Sequence, residues 1–234
     1  MLDAAERLLR KSATAEFSMR ELASEAGVGF ATPFNHFGSK IAIMQALSSR
    51  LIERMARRFR EDVPRGDAID RVLAMGRIAV AALLEQPDVN KAVVGSLGLA
   101  GPAPSSVRPQ SEAIWSLALG DFTGIDGETR ARAEAILPQQ LAFLFRGCVS
   151  FWIAGELSDD QLPRAFEAGA STLLLAFADD KRRAHLLKRI IRLPATVQTS
   201  PTGPRSNPTV SPVKGGAKSR EQQKASGRPP PRIR

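Results

Sequence analysis

Two short helices joined by a glycine turn are predicted within SMRELASEAGVGFATPFNHFGSK, residues 18–40. Ser18 lies three residues before Glu21, which is the spacing of a capping box at a helix start. The apolar residues that follow share one helical face; they are Met19, Leu22, Ala23 and Ala26. Gly27 can end this helix as its C-cap. The pattern therefore predicts a helix of about two turns.

A second short helix is predicted directly after Gly27-Val28-Gly29. At about 100° per residue, one face of this helix is apolar; it comprises Phe30, Pro33, Phe34 and Phe37. The opposite face is small, polar and uncharged; it comprises Ala31, Thr32, Asn35 and His36. Pro33 lies in the first turn, where amide groups have no intrahelical partner anyway. We expect the phenylalanines to hold the helix on its neighbours and the polar face to be displayed.

A longer helix should follow, since Gly38 ends the second helix and Ser39 can cap the next. Its apolar residues recur at spacings of three and four; they are Ile41, Met44, Leu47, Leu51, Met55 and Phe59. A helix from Leu2 to about Lys11 precedes the pair. Two short helices joined by a glycine turn are typical of a helix-turn-helix, whose second helix enters the DNA major groove. An ordinary helical hairpin has the same pattern, so the residues alone leave both interpretations open.

Basic charge is concentrated at the two ends of the chain, whose net charge is +9. Residues 1–60 carry +4, residues 61–193 carry −2 and residues 194–234 carry +7. Basic ends beside a near-neutral middle favour a polyanionic partner, with nucleic acid as the first candidate. Solubility accounts for the same charges equally well.

The region from Leu2 to about Leu51 resembles the TetR family of bacterial transcriptional regulators. The resemblance rests on the Ser-x-Arg helix start, the Gly-Val turn, the aromatic-x-His-Phe end of the second helix and the Gly-Ser-Lys after it. It implies an all-α protein that binds a double-stranded DNA operator as a homodimeric repressor and responds to a small-molecule effector. The domains would be a three-helix DNA-binding domain at 1–60 and a helical ligand-binding and dimerisation domain at 61–193. Residues 194–234 have almost no apolar side chains, so their composition predicts a disordered basic tail.

The resemblance also implies roles for individual residues. Ser18 and Lys40 would contact phosphate, and Arg20 would reach a base edge or the backbone. Base-edge contacts are implied for Ala31, Thr32 and Phe34, and base or backbone contacts for Asn35 and His36. These residue types suit the task, because Thr and Asn can hydrogen-bond to base edges and apolar groups can meet a thymine methyl.

Two residues depart from the family pattern. Phe34 stands where the family usually has Tyr, so a hydroxyl contact is lost and an apolar one remains. Phe34 also lies at the margin of the predicted core face, which leaves DNA contact and core packing equally open. Pro33 replaces an aliphatic residue and is expected to affect where the helix begins.

The middle of the chain is predicted to be helical; the expected helices are Asp67–Glu85, Asp88–Leu99, Ser111–Phe122, Gly127–Leu157 and Asp159–Leu193. Residues 101–106, GPAPSS, break the run. The fourth helix is apolar nearly all round, so it must be buried on several sides. With the resemblance, the last pair predicts an interchain four-helix bundle, although the chain's own core is the alternative. The predicted interface residues are Leu162, Phe166, Leu173 and Phe177.

Excess apolar side chains and several prolines in residues 67–193 predict a cavity between helices. We expect this cavity to bind a small apolar molecule, and the resemblance implies that such an effector weakens DNA binding. The predicted ligand contacts are Trp115, Phe143, Cys148 and Trp152. Arg146, within the apolar helix, could meet a carboxylate or could be a surface charge, and the sequence leaves both open.

Other functions find little support in the sequence. The chain has two His and one Cys, and it has no phosphate-binding loop, metal-ligand spacing or nucleophile elbow. We therefore predict no enzyme, no metal and no cofactor. Without a signal peptide or an apolar run of membrane-spanning length, the chain is expected in the cytoplasm with no membrane partner. The basic run at 181–193 is predicted to end the last helix. The alternative to a regulator is a helical binding or scaffold protein whose helix-turn-helix does not read DNA.

Overall fold

The computed structural model describes residues 1–12, 15–62, 64–98 and 106–192, and this part of the chain is all-helical. Its helices are α1 Leu2–Lys11, α2 Met19–Glu25, α3 Thr32–Phe37, α4 Lys40–Asp62, α5 Ala68–Leu84, α6 Pro87–Gly95, α7 Val107–Leu119, α8 Arg130–Ile153, α9 Gln161–Leu175 and α10 Asp180–Arg192, with a short 3₁₀ turn at Ser96–Gly98. The all-α prediction is confirmed. The predicted tail, and the predicted break at 101–106 apart from Ser106, lie outside the described residues.

Helices with clear local start and stop signals match their predicted bounds. The first helix occupies Leu2–Lys11 as expected. α5 begins after Asp67, whose Oδ1 accepts a hydrogen bond from the Asp70 amide at 3.1 Å. This contact satisfies one of the unpaired amides at a helix start.

The last predicted helix, Asp159–Leu193, is wrong as a single element, because the chain breaks between α9 and α10. In the break, Ala178 forms a β-bridge with Ile125. The Asp126 amide donates to the Phe177 carbonyl at 2.8 Å, and the Asp179 amide donates to the Gly124 carbonyl at 3.1 Å. These bonds satisfy the backbone groups that a continuous helix would have used. The link between α9 and α10 is thereby attached to the turn before α8.

Two clusters of buried apolar side chains share the helix α4. The first cluster is built from α1, α2 and the start of α4, and α6 adds Val89 and Val93. The second is built from the rest of α4 with the later helices. Leu47 of α4 belongs to the first cluster and Leu51 to the second. The two clusters are therefore only one helical turn apart along α4.

The helix α8 is the apolar centre of the second cluster. By length and composition it could cross a membrane, contrary to the expectation that no such run exists. It packs instead against α7 and α9, and its side chains Leu137, Leu141 and Trp152 are fully buried within the chain. Pro138 lies inside this helix.

The helix α9 is packed closely on α5 and α8 through glycines. A Cβ added to Gly76 of α5 would lie 1.9 Å from the Phe166 ring, and one added to Gly169 would lie 2.6 Å from a Leu144 methyl. The Phe166 ring also stacks on Trp115 at 5.2 Å between centroids. Phe166 and Leu162 are thus fully buried within the chain. These two side chains therefore already have core partners, whereas Leu173 and Phe177 are half-buried. The contact of the four residues with a second protomer stays a prediction.

The helix α10 is tied to the start of α5 by ion pairs. Arg182 contacts Asp67 at 2.8 Å and Asp70 at 2.6 Å. Leu186 of α10 is buried in the second cluster. The end of the described chain is therefore joined to the beginning of its second cluster.

Candidate functional site

The start of α2 holds Ser18 at the surface in a complete capping box. Ser18 Oγ accepts a hydrogen bond from the Glu21 amide at 3.2 Å, and the Glu21 carboxylate accepts one from the Ser18 amide at 2.7 Å. The backbone amide of Ser18 and then its side chain, both acting on the carboxylate, lower the pKa of Glu21 below its usual range. The Ser18 hydroxyl accepts from the Glu21 amide and lies exposed at the start of α2.

The turn between α2 and α3 depends on Gly27, whose φ is +66°. Glycine adopts this left-handed conformation without the steric cost that a Cβ brings. The Val28 amide donates to the Ala23 carbonyl, and the Thr32 amide donates to the Gly29 carbonyl. α3 then begins at Thr32 with Pro33 buried in its first turn, as expected. Gly38, with φ +75°, ends the helix.

One side of α3 is displayed to solvent and is called the reading face below; it comprises Ala31, Thr32, Phe34, Asn35 and His36. Four of these side chains are exposed and Thr32 is half-buried. Pro33 and Phe37 face the opposite way, and Phe37 packs on the first cluster. The small polar face predicted from the sequence is therefore displayed, while its DNA contacts remain predictions.

Phe30 and Phe34 do not anchor α3, contrary to the expectation that they would. Phe30 is 55% exposed and Phe34 is 42% exposed. The physical reason is that Phe30 precedes the first turn of α3, so helical spacing does not apply to it. The two rings lie edge to face with centroids 5.6 Å apart. For Phe34, the structure favours display on the reading face over core packing.

Two cations flank the reading face, and each lies over an aromatic ring. The Arg20 guanidinium lies 5.5 Å from the centroid of Phe30, and Lys40 Nζ lies 5.1 Å from that of Phe17. Such cation–π contacts restrain a flexible charged side chain without neutralising it. This contact of Phe30 was not predicted from the sequence, although its nearness to Arg20 across the turn was a usable signal.

Ion pairs hold α2 and α4 against α1. Glu25 at the end of α2 pairs with Arg7 at 2.7 Å and with Lys11 at 3.3 Å. The Arg7 and Lys11 contacts lower the pKa of Glu25. At the N-terminal end of α1, Asp3 pairs with Arg50 of α4. These contacts position the helix pair that displays the reading face.

A cavity of about 290 Å³ lies between α4, α5, α6, α7 and α8. Its walls are largely apolar and are formed by Leu51, Ile52, Met55, Leu83, Val94, Leu97, Val107, Ile114, Ala142, Phe143, Phe145 and Val149. The other residues that line it are Ser48, Arg108, Ser111 and Arg146. This combination of apolar walls with few polar groups is typical of small-molecule sites.

Only one of the four predicted ligand contacts lines this cavity. Phe143 does so. Trp115 stacks instead on Phe166 in the second cluster, and Trp152 Nε1 donates to Asp159 at 2.7 Å. Cys148 is buried, which raises the pKa of its thiol. These three residues do not line this cavity, and their contact with a ligand stays a prediction.

The polar residues at the cavity differ in their partners. Arg108 forms an ion pair with Glu112 at 3.2 Å. Arg146 has no ion pair among the described residues, and burial lowers the pKa of its guanidinium. Ser48 is 1% exposed and its hydroxyl has no hydrogen-bond partner within the described part of the chain.

Comparisons with known proteins agree with the geometry of the helix pair. Residues 1–47 match the sequence model of bacterial regulatory proteins, tetR family. The fold is similar to the crystal structure of a TetR transcriptional regulator from Rhodococcus sp. RHA1, with a TM-score of 0.57 and 24% sequence identity over 72% of this chain and 92% of the other. A search among curated proteins gave no match.

Proposed function

We propose that this chain, which belongs to the tetR family of bacterial regulatory proteins, represses transcription from a palindromic DNA operator in the cytoplasm and is released by a small, largely apolar effector. The reading face of α3, flanked by Arg20 and Lys40, is the observation that carries the proposal. Its Thr and Asn side chains can hydrogen-bond to base edges, and Phe34 can meet a thymine methyl. Ser18 and Lys40 can bind phosphates and so set the register on the duplex.

A homodimer is part of the proposal, because one short α3 reads too few base pairs to be specific and two-fold symmetry doubles the site. Exposed or half-buried positions on α8 and α9 supply a surface for it, called the dimer face below. Its residues are Ile136, Gln140, Phe143, Gly147, Phe151, Ala165, Thr172, Leu173 and Ala176. The small side chains on α9 permit close approach of helices. On this proposal residues 1–60 bind DNA, and residues 61–193 bind the effector and the second protomer.

The helix α4 offers a direct connection between the cavity and the reading face. Ser48, Leu51, Ile52 and Met55 of α4 line the cavity. One turn earlier, Met44 and Leu47 pack in the first cluster, on which α3 rests through Phe37. An effector that shifts α4 therefore shifts α3, and with it the spacing of two recognition helices in a dimer. The effector must prefer the DNA-incompetent arrangement, since equal binding to both shifts nothing.

Selection of duplexes from a random DNA pool tests the proposal. We expect an enriched palindrome with two half-sites related by two-fold symmetry. Binding should weaken steeply as salt rises, because phosphate contacts release counterions. Weak binding with no enriched sequence would favour the scaffold interpretation instead.

Substitutions of residues proposed to contact bases and of residues proposed to contact phosphates should change DNA binding in different ways. Thr32→Ala and Arg20→Ala should each lower affinity for the selected palindrome by about 1–3 kcal/mol and flatten sequence preference. Lys40→Ala should weaken all sequences alike and lower the salt slope by about one unit. Fluorescence anisotropy on the palindrome and on a scrambled duplex, across a salt series, separates the two effects.

The matched control is Arg77→Ala, which removes one exposed cation from α5. It lowers the net charge as much as Lys40→Ala does, yet lies outside the helix pair. We expect both the affinity and the salt slope to stay close to wild type. If Arg77→Ala and Lys40→Ala had equal effects, the phosphate role of Lys40 would be excluded in favour of overall charge.

A further inference from the structure

We propose that the effector is a monocarboxylate with an apolar body, held in the cavity between α4 and α8 by Arg146 and Ser48. This inference rests on the proposed effector response and names the chemistry of its ligand. It draws on three observations: a cation at the cavity and a buried hydroxyl that both lack a partner among the described residues, and the size and apolarity of the walls.

The unpaired cation is Arg146 of α8. Arg146 is half-buried, lines the cavity among largely apolar residues, and has no ion pair among the described residues. Partial burial makes an unpaired charge costly, and a carboxylate is an anion that a guanidinium binds with two parallel hydrogen bonds. Arg108, the other cation at the cavity, is already paired with Glu112. Arg146 is thus the cation available to a ligand.

The buried hydroxyl is that of Ser48 on α4. The residue is 1% exposed, lines the cavity, and has no hydrogen-bond partner within the described residues. Buried polar groups in folded proteins are almost always hydrogen-bonded, so each exception requires an explanation. A ligand oxygen in the cavity would satisfy this hydroxyl, which can donate to a carboxylate.

The cavity also limits the size and polarity of the ligand. At about 30 Å³ for each water-sized group, a volume of about 290 Å³ holds about ten non-hydrogen atoms. Octanoate and phenylacetate both have this size. No acidic residue lines the cavity in the described part of the chain, so an amine would find no counter-charge there. A neutral apolar molecule would leave Arg146 unpaired.

The two polar anchors stand on different helices, which gives the carboxylate a regulatory consequence. Arg146 belongs to α8 in the second cluster, whereas Ser48 lies one turn after Met44 on α4. A carboxylate that binds both side chains would exert a pull on α4, the helix that supports α3. Binding energy of this ligand is therefore available to change the position of α4.

Isothermal titration calorimetry of the full chain tests the proposal with matched acid and amide pairs. The probes are octanoate against octanamide, and phenylacetate against phenylacetamide. We expect at least one acid to bind 10-fold or more tightly than its amide. Arg146→Met should reduce that ratio to about one, and Arg146→Lys should retain part of it. Ser48→Ala should weaken the acid more than the amide.

The control variant is Arg132→Met, which removes an exposed cation from the same helix and should leave the acid preference unchanged. Thermal melts followed by circular dichroism confirm that each variant is folded. Equal binding of acids and amides, an acid preference that survives in Arg146→Met, or no binding of any of the four probes would overturn the inference.

Operator binding without any probe is measured separately by anisotropy. If the chain binds its selected palindrome and ignores all four probes, the carboxylate inference fails and the DNA-binding proposal stands. If an acid binds as expected and no palindrome is selected, the proposed function fails and the ligand site stands. The two failures are thereby distinguishable.

Discussion

Phe151→Arg should split the homodimer and lower affinity for the selected palindrome toward the non-specific level, a loss on the order of a thousandfold or more. Phe151 lies on α8 within the dimer face and is 51% exposed in the single chain. The variant should therefore fold as a monomer. In a dimer, however, two guanidinium groups would be buried against apolar side chains without partners, which is strongly unfavourable.

Analytical ultracentrifugation gives the oligomeric state, and anisotropy on the palindrome gives the affinity. Leu187→Arg is the matched control, because Leu187 is another exposed apolar residue, 44% exposed, but lies on α10 outside the dimer face. We expect it to remain a dimer with unchanged DNA binding. A folded wild-type monomer at micromolar concentration would contradict the dimer proposal. A dimeric Phe151→Arg would contradict the chosen face.

Phe166→Ala should lower the free energy of unfolding by about 3–5 kcal/mol, the cost of removing a buried phenylalanine from a packed core. Its ring is 2% exposed and contacts Trp115, Phe145 and Gly76. Gly76→Ala should also lower the free energy of unfolding, by about 1–3 kcal/mol. Here the cause is overpacking, since the new methyl would overlap the Phe166 ring. The double variant should lose less stability than the two single variants added together, because the new methyl then occupies space that the ring has left.

Urea unfolding at a fixed protein concentration measures these losses, followed by the emission of Trp115 and Trp152, which both lie in the second cluster. Gly95→Ala is the control, because an added Cβ there would meet Ile153 at an ordinary 3.6 Å. We expect it to change stability little. Strictly additive losses in the double variant would show that Gly76 and Phe166 do not share the contact described for α5 and α9.

The parts of the fold that were predicted correctly are those with local chemical causes. A capping box needs only Ser18 and Glu21, three residues apart, and the N-cap of α5 needs only Asp67 and an amide three residues on. The reading face followed in part from the same local pattern, because Gly27 and Gly38 bound a short helix. Such features depend on neighbours in the chain and are visible without the tertiary structure.

The parts that were missed depend on contacts between distant segments. An apolar stripe on a helix, such as Leu162 and Phe166, has the same spacing whether it faces its own core or a second chain. Only the tertiary contact of Phe166 with Gly76 shows that it faces the chain's own core. The cavity is lined from five helices, so no single periodicity could predict Ser48 as a contributor. The break before α10 is fixed by hydrogen bonds to residues about fifty positions earlier.

Because Arg182 pairs with the start of α5, the two clusters of the fold become complete at different times while the chain is synthesised. Protein domains emerge and fold from the N-terminus as translation proceeds. The first cluster has all its members once Val93 has been made. The second lacks Leu186, and Asp70 lacks a partner 112 positions away, until α10 has been translated. A ribosome-bound chain can thus complete the cluster beneath α3 long before it can complete the domain proposed to control it.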